Sequence, residues 1–138
     1  MEEDEEKSYD FADYYRSIRG MQMNENDVFR LSEELNRALL ESEEYKKYVS
    51  AGQAVKAEPE LYRAMNDYRR RNRQIQMYAS DEAIFDETNR VLYEFEGVLK
   101  NELVAEFLAA EQKLVRMLQQ VYANLGSNLE FDDSFIEG

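Results

Sequence analysis

Cysteine and histidine are both missing from this 138-residue chain, and together the two absences remove most catalytic chemistry. Without cysteine there is no disulfide framework, no thiolate-held metal and no iron–sulfur centre. Without histidine no Ser-His or Cys-His nucleophile can be assembled, and the Glu-x-x-His pairs that hold di-iron centres in helical proteins cannot be written. Five glycines and one proline supply too few turn residues for an all-β chain and favour a few long helices. No apolar run reaches the length of about 18 residues that a membrane-spanning helix needs. The 30 acidic residues offer no pair that stands out for glycoside hydrolysis. The expectation is therefore a chain with no enzymatic activity, no metal and no cofactor.

What is present begins with charge. The net charge is −13, and it is concentrated at the two ends. Residues 1–13 hold seven acids against Lys7, while residues 126–138 hold Glu130, Asp132, Asp133 and Glu137 with no base. The 112 residues between them carry 19 acids and 16 bases and are close to neutral. Acidic ends of this kind are expected to be solvated and flexible. The opening Met1-Glu2-Glu3-Asp4-Glu5-Glu6 is the reverse of a basic secretory leader, so a cytoplasmic protein with no membrane insertion is expected.

Hydrophobic spacing predicts an all-α fold, an antiparallel bundle of about four long helices. Three regions are expected: an acidic extension over 1–25, a helical domain over 26–126 and an acidic tail over 127–138. The first helix starts near Asn26 or Asp27, carries Val28, Leu31, Leu35, Leu39, Tyr45 and Tyr48, and runs unbroken for about 40 Å until Pro59 stops it. Pro59 opens the second, whose Leu61, Met65, Tyr68, Asn72, Ile75 and Ala79 recur at steps of four and three. The third carries Ile84, Thr88, Val91, Phe95 and Val98; Ser80 and Asp81 are the candidate caps before it. Asn101 caps the fourth, whose stripe of Val104, Phe107, Glu111, Leu114, Leu118, Val121 and Leu125 is widened by Leu108, Val115 and Tyr122. Gly126 ends it in a left-handed turn.

Within the acidic extension, Tyr9, Phe11, Tyr14, Tyr15 and Ile18 form an apolar-aromatic cluster. Such a segment folds back on the helices or docks on a partner, and Tyr14 and Tyr15 are its candidate contacts. The only basic concentration is Arg63, Arg69, Arg70, Arg71 and Arg73. Helical geometry puts Arg63, Arg70 and Arg73 opposite the apolar seam, with Arg69 and Arg71 flanking it. Three readings apply: a face that docks on an acidic protein surface, a phosphate-contacting stripe with Tyr62 and Tyr68 nearby, or an ordinary solvated face. Glu60 and Asp67 stand at helical spacing to neutralise part of it, and the acidity of the chain repels nucleic acid. Asn72 and Glu111 are polar residues inside apolar seams. Each points to a seam edge or is satisfied within the bundle, by an Arg or Tyr, or else fixes register and oligomeric state. Under the second reading Asn72→Leu should leave helicity intact and change oligomeric state, and an unchanged sedimentation profile would refute it. The methionines Met21, Met23, Met65, Met77 and Met117 read as core fillers.

Three segments carry a resemblance. They are Glu41-Ser42-Glu43-Glu44-Tyr45, the stretch Pro59-Glu60-Leu61-Tyr62 through Ile75, and Asn101-Glu102-Leu103-Val104 through Leu114. In order and spacing they resemble the YlbF/YmcA family of small helical bacterial regulators, over roughly residues 28–125. The resemblance implies an all-α regulator without known enzymatic activity, associated with competence, sporulation and biofilm control. It implies as partners a paralogous family member or the RNA-processing machinery built on the endoribonuclease RNase Y. Two departures stand out. Glu102 occupies a position where the family often has proline, and some family complexes hold iron–sulfur clusters on cysteines that this chain lacks. The stripe on the last helix is wider than one chain is expected to cover, so a homodimer or higher oligomer is expected, with Asn72, Val104, Phe107, Leu108, Glu111, Leu114 and Leu118 on its seam. The functional expectation is a regulatory adaptor working through helix contacts. The alternatives are an RNA-binding accessory factor using Arg63–Arg73 and a purely structural oligomer.

Overall fold

The computed structural model describes residues 23–136. The expected cluster of Tyr9, Phe11, Tyr14, Tyr15 and Ile18, along with Met21, lies outside the described residues. Those that are described form an all-α chain without strands, as expected. The chain divides between Leu40 and Glu41 into two units.

The first unit holds helix α1, Glu25–Glu41, all but its last residue. Its cap is Asn24, two residues before the first of the expected caps. The Asn24 side chain accepts from the Asp27 N–H at 3.0 Å while Asp27 accepts from the Asn24 N–H at 3.2 Å. This reciprocal pair satisfies two free donors of the first turn. Leu31, Leu35 and Leu39 share one half-buried face of α1.

The single long helix expected before Pro59 is in fact two. Ser42 adopts extended backbone and its hydroxyl accepts from the Tyr45 N–H at 3.2 Å, so it caps a new helix, α2, Glu43–Lys56. Glu43 and Glu44 then stand at the positive end of the α2 dipole. A serine followed by two acids was the local signal for this start, and a continuous apolar spacing hid it. Glu58 is extended ahead of Pro59, as the steric clash with a proline ring requires.

Pro59 opens α3, Pro59–Tyr78, and Ser80 closes the turn after it by accepting from the Ala83 N–H at 3.2 Å. The third predicted helix is interrupted at Phe95, giving α4, Ile84–Glu94, and the single turn α5, Glu96–Leu99. The bonds from Phe95 N–H to Val91 O and from Leu99 N–H to Phe95 O persist on either side, so the irregularity is local. Helix α6 spans Glu102–Asn124. Asn101 caps it through a 2.9 Å bond from the Leu103 N–H, and Gly126 follows with φ 79°, a conformation that costs glycine least. Both ends of α6 match the expectation. A short 3₁₀ turn, Ser134–Ile136, lies in the tail.

Val55, Met65, Val104 and Phe107 form the buried core, flanked by Tyr48, Leu61, Tyr62 and Val98. Helix α2 runs antiparallel along α6: Tyr48 meets Phe107 with ring centroids 5.3 Å apart. Gly52 permits this approach, because a Cβ there would already stand 3.4 Å from the Phe107 ring. Helices α3 and α4 are also antiparallel, with Tyr68 against Phe95 at 5.7 Å. Of the methionines expected in the core, Met65 is fully buried, whereas Met23 and Met77 are exposed. Asn101→Ala should cost about 1 kcal/mol by removing the α6 cap, while Asn101→Asp retains it. Thermal unfolding that does not distinguish Asn101→Ala from the parent chain would contradict that role.

Candidate functional site

The arginines of α3 divide into three environments, decided by position around the helix. Arg69 faces α6: it pairs with Glu111, donates to Asn66 Oδ1 at 3.2 Å, and stacks over the Phe107 ring at 5.2 Å. Two residues on, Arg71 faces α4, pairs with Glu94 and stacks over Phe95 at 5.7 Å. A separation of two residues rotates by about 200° around a helix, which is why the two clamp opposite flanks of α3. Both are half-buried and committed within the chain.

Arg70 is exposed and pairs with Asp67 at 3.0 Å. Pairs this open to water contribute at most about 1 kcal/mol, and the guanidinium remains available. Arg63 and Arg73 are exposed and take part in no ion pair among the described residues. Glu60, placed by spacing to neutralise Arg63, does not pair with it. The face opposite the seam is therefore Arg63, Arg70 and Arg73, as helical geometry anticipates. The sequence offers an Arg or Tyr for Glu111 without saying which, and it misses Glu94 as the partner of Arg71; both carboxylates come from distant segments and leave no local pattern.

Beside this face runs an open groove of about 720 Å³ between α3 and α6. Asn66, Asn72 and Arg73 contribute from α3, and Leu108, Glu111 and Gln112 from α6. Glu111 is satisfied by Arg69, one of the two outcomes open for a carboxylate in an apolar seam. Asn72 is half-buried in the groove wall. Tyr62 is half-buried with the Lys56 ammonium 5.9 Å from its ring centre, so that its ring already has a cation on it.

The seam residues of α6 separate along the helix. Val104 and Phe107, expected between chains, are instead buried in this chain's own core, because α2 covers that end of the stripe. Leu108, Leu114 and Leu118 are half-buried, and Val115, Tyr122 and Leu125 are exposed. The more exposed part of the stripe is thus the C-terminal half of α6. Tyr14 and Tyr15 lie outside the described residues. Among the described residues no helix is long and apolar enough to cross a membrane.

Amphipathic helices locked by arginine clamps, with a basic face on α3, define a small all-α protein. The family described as control of competence regulator ComK, YlbF/YmcA, matches residues 28–130, and the chain belongs to that family. It is also similar to a UPF0342 protein of Symbiobacterium thermophilum, with 30% identity over 103 residues, covering 73% of this chain and 92% of that relative. No solved structure matches the chain significantly.

Proposed function

We propose that this family member is a non-enzymatic regulatory adaptor in the cytoplasm, acting by occupying a protein partner through helix faces. The observation that carries the reading is the open arginine face of α3. Arg63 and Arg73 are exposed and take part in no ion pair among the described residues, on a chain whose net charge is −13. Unpaired guanidinium groups recognise carboxylates in fixed, bidentate geometry, so an acidic protein surface is the matching partner. A paralogous family member and RNase Y-type machinery are the partners the family suggests, and competence, sporulation or biofilm control is the setting. Homo-oligomerisation through Leu114, Leu118 and their exposed neighbours on α6 accompanies this reading, because such a stripe gains by leaving water.

Direct RNA binding by the same arginines is the second reading, favoured by their spacing along one helix face. Two assays on the purified full chain separate them. Calorimetric titration with a purified paralogue or RNase Y-type protein should give a saturable complex. A mobility shift with RNA should be weak at physiological salt. A tight RNA shift that weakens steeply as salt rises, without a protein complex, would replace the adaptor reading, since phosphate contacts carry that salt dependence.

A further inference from the structure

The groove between α3 and α6 and the segment that follows α6 are complementary in charge and in apolar surface. Arg70, Asn72 and Arg73 present guanidinium and amide donors from α3, with Leu108 as apolar floor and Gln112 opposite. The carboxylates at hand are already matched, Glu111 by Arg69 and Asp67 by Arg70. Arg73 therefore leaves the groove with positive charge to spare. Beyond Gly126, the segment Leu129-Glu130-Phe131-Asp132-Asp133-Ser134-Phe135-Ile136 carries three acids and no base. Its apolar side chains Leu129, Phe131, Phe135 and Ile136 are 65–82% exposed, which for four large groups in eight residues leaves much surface to be covered.

The segment also has local order. Asp132 Oδ1 accepts from the Ser134 N–H at 3.0 Å and leads into the 3₁₀ turn that brings Phe135 and Ile136 together. The Ser134 side chain and then its backbone N–H hold the Asp132 carboxyl below its ordinary range, so it is charged at neutral pH. We infer that the α3–α6 groove receives the acidic, aromatic segment Leu129–Ile136 of a second copy of this chain. Within one chain those side chains stay in water, so the segment does not fill the groove of its own copy. Carboxylates of Glu130, Asp132 and Asp133 would meet Arg70 and Arg73, and an aromatic side chain would cover Leu108. The inference rests on the arginine face being a contact surface and names one occupant for it. A copy that receives the segment has Arg70 and Arg73 covered, so association through this groove, unlike association through the α6 stripe, excludes partner binding.

The absence of cysteine makes the test clean. A full chain carrying Gln112→Cys is mixed with a full chain carrying Asn128→Cys and oxidised, and the mixed disulfide is measured over time. It is expected to form at least tenfold faster than with a control chain carrying Asp86→Cys on α4. Adding Arg70→Glu and Arg73→Glu to the groove chain should abolish that advantage. Reversing Glu130, Asp132 and Asp133 to Lys in the tail chain should then restore it, which a merely misfolded groove could not allow. A rate equal to the control, or one indifferent to charge reversal, would overturn the inference. No other protein is in the tube, so that failure leaves the adaptor reading standing, to be judged by its own titration.

Discussion

Replacing Phe107 with Ala is expected to lower the stability of the chain by about 3–5 kcal/mol, the range for deleting a buried aromatic ring. The reason for placing it at the upper end of single-residue effects is the number of elements that meet on this ring. Tyr48 packs against it from α2, and Gly52 brings the α2 backbone to its edge. The Arg69 guanidinium lies over the ring, 5.2 Å from its centre. Val55, Met65 and Val104 complete the cluster, each of them fully buried. Alanine leaves a cavity that none of the three helices can close without losing its other contacts, and it removes the surface on which Arg69 is stacked. Phe107→Leu keeps most of the volume and should cost markedly less. Urea unfolding of the two variants decides the matter, and a loss below about 1 kcal/mol for Phe107→Ala would mean that the α2–α6 contact does not hold the fold together.

The second large effect concerns binding. Reversing Arg63 and Arg73 together to Glu should weaken the complex with a protein partner by tenfold or more, since like charges meeting across an interface cost several kcal/mol. The fold should barely respond. Both side chains are exposed and take part in no ion pair among the described residues, and surface changes away from packed or charged partners stay within about 0.5 kcal/mol. The same reversal at Arg69 or Arg71 would be uninformative, because each of these is clamped between a carboxylate and an aromatic ring. An unchanged affinity for the double variant, with its stability intact, would remove the arginine face from the mechanism.

Much of this architecture was legible in the sequence because it is local. Asn101 and Gly126 bracket α6 as their side-chain chemistry demands, and Pro59 separates α2 from α3. The break at Ser42 was also written locally, as a cap followed by two acids, but an unbroken apolar rhythm outweighed it. The interruption at Phe95 has no proline to announce it, though Gly97, a weak helix former, stands two residues on; the Phe95 ring is engaged by Tyr68 and Arg71 of another helix. The candidate site divides in the same way. Rotation around α3 placed Arg63, Arg70 and Arg73 on one face, which needed only the helical repeat. That Arg69 and Arg71 serve as clamps depended on Glu111 and Glu94, 42 and 23 residues away, and pairing over such distances leaves no periodic trace. Val104 and Phe107 share a stripe with Leu114 and Leu118, and only the register of α2 shows which end of it is covered.

The most direct measurement is parallel purification from the native host of the tagged full chain and of its Arg63→Glu/Arg73→Glu variant, each compared quantitatively for retained proteins. The parent chain should hold a defined protein partner at physiological salt, and the variant should lose it while remaining folded. Identical retention by both chains would contradict a mechanism of contact through α3.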